Sequence, residues 1–168
     1  YRAGSLTPLQ VAEHFLAALQ ASEQGSAPLR AFTACNPEDV LAQARQSTRR
    51  FAEGRPLGML DGVPLAIKDE VDMLPYPTTV GTSFLGGAPA QTDSTVAARL
   101  RAGGALLAGK TNMHEIGINP NGSNAQWGAV RNPYNDACDT GGSSSGSAAA
   151  VASGLVPAAI GADGGGSI

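Results

Sequence analysis

Apolar residues recur with a helical period near the start of the chain, in the segment "LTPLQVAEHFLAALQASEQG". Five of them fall on one face of a predicted helix: Leu9, Ala12, Phe15, Leu16 and Leu19. Thr7 is the predicted N-cap, because Pro8 follows at the first helical position and Gln10 completes a capping box. Gly25 indicates where this helix ends.

A short apolar run, "LRAFTAC", predicts a strand after this helix. Asn36 and Pro37 then form the start signal of a second helix. We expect it to run to about Glu53, with Gly54 as its stop signal. The N-terminal helices are therefore expected to occupy residues 1–56.

The pattern changes after residue 56, where short continuous apolar runs replace the helical stripe. Three runs predict buried strands: "GVPLAIKD", in a strand that ends at Lys68, then "ALLAG" and "VPAAIGAD". Between them, "STVAARLRAGG" predicts a helix capped by Asp93 and closed by Gly103, and "SSSGSAAAVASG" predicts a small-residue helix that starts near Ser144. Strands that alternate with helices indicate parallel βαβ units, so we expect an α/β fold. The chain shows no linker, which predicts a single domain, with its core and candidate motifs in 57–168.

Composition and charge narrow the class of protein. Hydrophobic residues make up 42% of the chain and charged residues 15%, which suffices for a packed core. The net charge of −3 provides no basic surface, so we expect no nucleic-acid partner. No apolar stretch is long enough to span a bilayer, and we expect no signal peptide. Cys35 and Cys138 occur in unrelated contexts, which favours free thiols in a reducing, cytoplasmic compartment.

One short motif has the spacing of a Walker A phosphate loop: "GALLAGKT", residues 104–111. A phosphate loop needs a strand before it and a helix after it. Here the four spacer residues, 105–108, have the composition of the strand itself, and no helix begins cleanly at Lys110. We therefore do not expect nucleotide binding.

A second motif, "GSSSG" at 142–146, matches a nucleophile elbow with Ser144 as nucleophile. The residues before it are polar rather than those of a buried strand. His14 and His114 both precede this serine, although the elbow's triad places its histidine later in the chain. This interpretation is therefore not favoured.

A third set of residues fits its context. Lys68 ends a buried strand, serines at 143–145 begin a helix, and Ser167 follows three glycines after another strand. The carboxyl ends of parallel strands share one edge of the sheet, where active sites assemble. We therefore expect Lys68 and Ser167 to converge beside the serine cluster.

These residue types support acyl transfer to a serine. A serine hydroxyl needs a base, and Lys68 can be that base where burial favours its neutral form. A second serine can relay the proton, and glycines let backbone amides approach a developing oxyanion. Two plainer interpretations stay open on residue types alone: Lys68 as a strand-end lysine that reaches solvent, and the Ser/Gly segments as ordinary loops.

The segment "DTGGSSSGSAAAVASGLVPAAIGADGGGSI" resembles the signature of the amidase signature family of serine hydrolases, which use a Ser–cis-Ser–Lys triad. The family pattern places the lysine in the strand "PLAIKD", here Lys68. It places the cis serine directly after paired glycines, here Ser143, and the nucleophile in a G-G-S-[IVL] element, here Ser167. The spacings agree, and the similarity covers nearly the whole chain, including "GAVRNPYN" and "GKTNMHE".

The resemblance implies roles for individual residues. Ser167 would be the nucleophile, Ser143 the bridging serine in a cis peptide bond, and Lys68 the general base. The implied oxyanion hole consists of four backbone amides: those of Gly164, Gly165, Gly166 and Ser167. The resemblance also implies a hydrogen bond from Ser144 or Ser145 within the cluster, an anchoring role for Asp163, and no catalytic role for His114. The implied fold is a mixed β-sheet covered by helices, and no metal or organic cofactor is implied.

The implied function is hydrolysis of the C–N bond of a linear carboxamide through an acyl-enzyme on Ser167. Within the family, "AIKDEVD" and "LPYPTT" are most similar to the branch of plant-type fatty acid amide hydrolases and their bacterial relatives. The alternatives are an inactive truncated fragment and a glutamine-dependent amidotransferase subunit. The expected partners are a small-molecule amide and, for the full-length protein, a second copy in a homodimer. Family members are well over twice as long and continue past Ile168 with an arginine, so we expect a partial, N-terminal amidase domain.

Overall fold

The computed structural model describes residues 1–168. Its helices are α1 (Pro8–Ser22), α2 (Pro37–Ala52), α3 (Thr95–Ala102) and α4 (Ser145–Ala152), and its strands are β1 (Phe32–Ala34), β2 (Pro64–Lys68), β3 (Leu106–Thr111) and β4 (Ala158–Ile160). A single 3-10 turn, Glu115–Gly117, follows β3. None of the helices combines the length and the apolar character that crossing a membrane requires.

The four strands form one mixed sheet in the order β1-β3-β2-β4. β2 pairs in parallel with β3 on one side and with β4 on the other, whereas β1 pairs antiparallel with β3. Helix α3 connects β2 to β3, which makes the predicted βαβ unit. The α/β fold with a mixed sheet is therefore confirmed.

Each face of the sheet has its own apolar core. On β2, Ala66 belongs to the cluster shared with α1, α2 and α4, whereas Leu65 and Ile67 belong to the cluster that includes Ala97 of α3. Side chains alternate between the faces with a period of two, so Lys68 points to the same face as Ala66. The alternation along β2 therefore turns the Lys68 side chain toward the side of the sheet on which α4 packs.

The first two helices begin as the sequence predicts. The Thr7 hydroxyl accepts a hydrogen bond from the Gln10 amide at 3.2 Å, and the Gln10 side chain accepts one from the Thr7 amide at 2.9 Å, which completes the capping box. The Asn36 side chain caps α2 by accepting from two amides of its first turn. Helix α1 ends at Ser22, three residues before Gly25.

The predicted cap of α3 is wrong by one residue. Ser94 caps this helix, and its hydroxyl accepts from the amide of Ala97 at 3.2 Å. The carboxylate of Asp93 is engaged elsewhere, because it accepts from Arg101 Nε at 2.7 Å and from the Leu74 amide at 2.8 Å. Because the Arg101 guanidinium binds the Asp93 carboxylate, the Ser94 hydroxyl caps the helix instead.

Strand β3 explains why the Walker-like segment is not a phosphate loop. Its residues, Leu106–Thr111, are extended and all buried. A Cβ on Gly109 would lie 2.4 Å from the carbonyl oxygen of Ala34, so this glycine lets β1 approach. The Lys110 side chain is fully buried and pairs with the carboxylate of Asp69, so it is not available to bind a phosphate group.

Candidate active site

Lys68 is the last residue of β2, and its side chain is only 1% exposed. Its Nζ donates to Ser143 Oγ at 2.9 Å and to the carbonyl of Ala162 at 3.0 Å. Because every residue of β2 is buried, the Lys68 amine lies inside the protein. The interpretation of Lys68 as a lysine that reaches solvent is therefore wrong.

Ser143 follows a tight turn made by two glycines. Gly141 and Gly142 have φ of +69° and +66°, in the left-handed region that favours glycine. The Ser143 carbonyl accepts from the amide of His114 at 3.1 Å. The expected cis peptide bond at Ser143 is not present, and the cis bond of the chain is Leu74–Pro75. The two glycine φ angles reverse the chain here instead.

Ser167 lies in the loop that follows β4, and 8% of the residue is exposed. Its carbonyl accepts from the amide of Ser144 at 2.9 Å, which ties the loop to the start of α4. A Cβ on Gly142 would lie 2.6 Å from the same carbonyl oxygen. Only a residue without a Cβ at position 142 therefore lets the Ser167 carbonyl come this close.

The three residues form one hydrogen-bonded chain. Lys68 Nζ lies 2.9 Å from Ser143 Oγ, which lies 2.7 Å from Ser167 Oγ. All three side chains are buried, so the hydroxyls contact each other and the amine rather than bulk water. Two hydroxyls in series beside an amine can pass a proton from the outer serine to the lysine.

The carbonyl of Ala162 holds both the lysine and the serine cluster. It accepts from Lys68 Nζ at 3.0 Å and from Ser144 Oγ at 3.1 Å, and the Ala162 amide donates to Ser144 Oγ at 3.2 Å. Ser144 thus makes the hydrogen bond expected within the cluster, whereas the buried Ser145 Oγ has no partner. The Ser144 hydroxyl serves as an anchor, which removes it as an elbow nucleophile.

The glycine loop before the candidate nucleophile is folded around the carboxylate of Asp163. The amides of Gly165 and Gly166 donate to Asp163 Oδ1 at 2.9 and 2.6 Å. Backbone donors, the Ser167 amide foremost, lower the pKa of Asp163 to about 2. Most of the amides expected to form an oxyanion hole therefore donate to the chain's own carboxylate in this conformation, while Gly164 is exposed.

The residue after the lysine, Asp69, belongs to a separate buried ion pair. Its Oδ1 lies 2.9 Å from Lys110 Nζ, and both side chains are almost fully buried. The hydroxyl and the amide of Thr79 also donate to this carboxylate. Asp69 therefore neutralises Lys110 and leaves Lys68 without this counter-ion.

Glu70 faces the lysine from the turn after β2. The amide of Val71 donates to the Lys68 carbonyl at 3.0 Å, which closes a four-residue turn. Glu70 Oε1 lies 3.4 Å from Lys68 Nζ. A Cβ on Gly117 would contact both Ser143 Oγ, at 3.5 Å, and Glu70 Oε2, at 3.8 Å. Glu70 is thus a second ionisable side chain at this site.

Sequence reasoning missed two of these contacts. Glu70 stands two residues after Lys68 in "IKDE", so the signal was present, but a strand period alone does not bring that side chain back to the lysine. The Ala162 carbonyl had no signal, because every residue has a carbonyl group.

A cavity of about 400 Å³ opens beside Ser167. Its walls come from the turn before α4 and from the loop after β4, and they include Thr140, Gly142, Ser144, Gly161 and Ile168. The chain has no group of three His, Cys, Asp or Glu side chains placed to hold a metal ion.

Comparisons with known proteins identify similar sequences and structures. The family model described as Amidase matches residues 11–168. A fatty acid amide hydrolase from Arabidopsis thaliana is 45% identical over 169 aligned positions, which cover 100% of this chain and 28% of that protein. A glutamyl-tRNA(Gln) amidotransferase subunit from Chloroflexus aurantiacus is 43% identical over 166 positions, which cover 99% of this chain and 34% of that protein.

Solved structures give the same result for the fold. The native peptide amidase from Stenotrophomonas maltophilia superposes with a TM-score of 0.87 at 36% identity, covering 94% of this chain and 33% of that one. This chain thus corresponds to 28% to 34% of the length of the two curated relatives.

Proposed function

This chain belongs to the amidase family, and we propose that its protein hydrolyses the C–N bond of a linear carboxamide through an acyl-enzyme on Ser167. One observation carries the proposal: the hydrogen-bonded chain from Lys68 Nζ to Ser143 Oγ and on to Ser167 Oγ, with steps of 2.9 and 2.7 Å. It supplies a nucleophile, a relay and a base in the order that the chemistry requires.

In the first half of the reaction, Ser167 Oγ attacks the amide carbonyl carbon and forms the new C–O bond. Its proton passes to Ser143 Oγ while the Ser143 proton passes to the neutral amine of Lys68. The C–N bond then breaks, and the same relay returns the proton to the leaving nitrogen. The acyl group remains on Ser167.

In the second half, water attacks the acyl-enzyme and gives up a proton to the same relay. The C–O bond to Ser167 breaks, the serine oxygen recovers a proton, and the carboxylic acid leaves. The burial of Lys68 supports this cycle, because it holds the amine against Ser143 and away from bulk water.

We propose that the amides of Gly164, Gly165, Gly166 and Ser167 stabilise the oxyanion. Their support is a loop in which several backbone N–H groups already converge on one carboxylate, that of Asp163. The role requires these amides to exchange that carboxylate for the substrate oxygen during the reaction.

The proposed substrate is a small-molecule amide whose acyl part lies in the cavity beside Ser167. The relatives named as fatty acid amide hydrolase and peptide amidase support a hydrolase of linear amides. The relative named as part of an amidotransferase is almost as similar, at 43% against 45% identity. An amidotransferase component that works with partner proteins is therefore the second candidate.

The experiment combines active-site labelling with an amide assay on the protein as its gene encodes it. A fluorophosphonate probe is expected to label Ser167, and amine release from fatty acid and amino acid amides is expected to require the same residue. Ser167→Ala removes both signals. Ser145→Ala is the matched control, because it deletes a neighbouring hydroxyl that has no hydrogen-bond partner.

Different results separate the alternatives. Labelling that persists in Ser167→Ala, or its absence from the unmutated protein, contradicts the hydrolase proposal and favours a noncatalytic role. Glutamine-dependent amide formation that appears only with partner proteins favours the amidotransferase.

We further propose a cytoplasmic location and a homodimer. Cys35 and Cys138 are both free, which suits a reducing compartment. Cell fractionation tests the location, and sedimentation of the purified protein tests the dimer.

A further inference from the structure

We infer that Glu70 is a positioning residue for Lys68: its carboxylate, 3.4 Å from Nζ, pairs with the amine and so sets the direction of the amine's lone pair. The inference rests on the proposed function, since it takes Lys68 as the base. It adds a fourth side chain to the three already described.

The neighbours of Lys68 Nζ determine where its lone pair points. Nζ donates hydrogen bonds to Ser143 Oγ at 2.9 Å and to the Ala162 carbonyl at 3.0 Å, and its ion-pair partner Glu70 Oε1 lies 3.4 Å away. An ammonium has three N–H groups and can donate to all of them. The neutral amine has two N–H groups and one lone pair. A carbonyl and a carboxylate can only accept, so the two N–H groups point to them and the lone pair points to Ser143.

The carboxylate of Glu70 is thus one of three partners that orient the amine, with Ser143 and the Ala162 carbonyl. Without it, one N–H of the neutral amine loses its acceptor, and the lone pair is free to rotate away from Ser143. The relay would then operate only in the fraction of molecules in which the amine is correctly turned.

None of the other charged groups around the site pairs with Lys68. Asp69 pairs with Lys110, and the carboxylate of Asp163 receives the loop amides. The ring of His114 contacts a backbone carbonyl at 3.1 Å, and the carboxylate of Glu115 takes part in none of the ion pairs of the chain. Glu70 is therefore the carboxylate that bears directly on the protonation of the base.

Glu70 is also not required for the turn on which it sits. The turn is closed by backbone groups, from the Val71 amide to the Lys68 carbonyl. The Glu70 side chain is 27% exposed, makes no hydrogen bond, and has its ion pair with Lys68 as its polar contact. A substitution at this position is expected to change the chemistry of the site and leave the fold intact.

The sign of the effect follows from the charges. A carboxylate beside an amine favours the ammonium, whereas the neutral amine is the form that accepts a proton. Glu70→Gln keeps the length and one acceptor oxygen and removes the charge. The acidic limb of the kcat/KM profile is therefore expected to move to lower pH by about one unit. Glu70→Ala also removes the acceptor, so its plateau is expected to fall by about tenfold as well.

The experiment compares pH profiles of kcat/KM for a carboxamide in the protein as its gene encodes it. Asp72→Asn is the matched control, because it removes a negative charge from an exposed residue of the same segment, and its limb is expected to stay in place. Thermal unfolding checks that each variant is folded. An active, folded Glu70→Gln protein whose acidic limb does not move overturns the inference.

A measurement on the unmutated protein gives a second test. As Lys68 loses its proton, the ¹³C signal of the Glu70 carboxyl group is expected to shift with the same midpoint. A Glu70 signal that is indifferent to this transition overturns the inference. An unmutated protein that neither hydrolyses amides nor reacts with the fluorophosphonate probe instead contradicts the proposed function.

Discussion

The amide of Ser144 donates to the carbonyl of Ser167 at 2.9 Å, so the N-cap of α4 and the candidate nucleophile are joined backbone to backbone. The hydroxyl contact between Ser143 and Ser167, at 2.7 Å, runs beside this bond. The position of the nucleophile is therefore fixed by its main chain as well as by its side chain.

Gly142→Ala is expected to disrupt this junction. The new Cβ would lie 2.6 Å from the Ser167 carbonyl oxygen, and the residue has a φ of +66°. We expect a loss of about 2–4 kcal/mol in the free energy of unfolding and of at least about 100-fold in kcat/KM. Urea unfolding and the amide assay measure the two effects.

Gly141→Ala is the matched control for that substitution. Gly141 has a similar φ, +69°, but a Cβ there would have no atom within 4 Å. The expected cost is the backbone strain alone, about 1 kcal/mol, with activity largely retained. Equal losses in the two variants would show that the close approach at Gly142 is not what matters.

The two buried lysines are expected to respond differently to replacement by methionine. Lys68→Met removes the proposed base, so kcat/KM should fall by about 100-fold to 10,000-fold while stability changes by no more than about 1 kcal/mol. Lys110→Met leaves the buried carboxylate of Asp69 without its counter-ion and should cost about 3–5 kcal/mol. Thermal unfolding combined with activity distinguishes the two, and a severely unstable Lys68→Met would assign that lysine a structural role.

The glycine loop is expected to resist acid. Backbone donors lower the pKa of Asp163 to about 2, below the value of about 3.9 for an unfolded aspartate. Because the folded pKa is depressed, the contribution of this carboxylate is fully present above about pH 4 and is lost as the pH falls through about 2. The ¹³C signal of the Asp163 carboxyl and the amide signals of Gly165 and Gly166 should titrate together near the lower value. A common midpoint near 3.9 would mean that the carboxylate does not hold the loop.

Ile116 is expected to carry local backbone strain. Its φ is +56°, which is rare for a β-branched residue, and its amide donates to the carbonyl of Val80, which also has a positive φ of +54°. Ile118 is also exposed but has an ordinary φ of −67°. Ile116→Gly should therefore leave the protein about 1–2 kcal/mol more stable than Ile118→Gly does. Chemical denaturation of the two variants is the check, and equal stabilities would exclude strain at Ile116.

Sequence alone predicts the elements whose start and stop signals are local. A Thr–Pro–x–Gln start, an Asn–Pro start and apolar runs bounded by glycine predict helices and strands from local chemistry alone, and the structure has them. The convergence of Lys68 with Ser167 was also predictable, because parallel strands deliver their carboxyl ends to one edge.

Other features depended on contacts that no local pattern encodes. The cap of α3 is Ser94 rather than the predicted Asp93, because Arg101, eight residues along the chain, binds the Asp93 carboxylate. The turn before Ser143 uses two left-handed glycines where a cis bond was expected. The engagement of the loop amides by Asp163 depends on the path of three successive glycines, whose φ and ψ angles a sequence does not restrict.

The order of the site residues along the chain has a consequence for synthesis. Lys68 leaves the ribosome first, Ser143 follows, and the loop that carries Ser167 follows both. A nascent chain therefore contains the amine and the relay hydroxyl before it contains the serine that completes the hydrogen-bonded chain. A polypeptide whose synthesis stops before residue 167 therefore lacks the proposed nucleophile altogether.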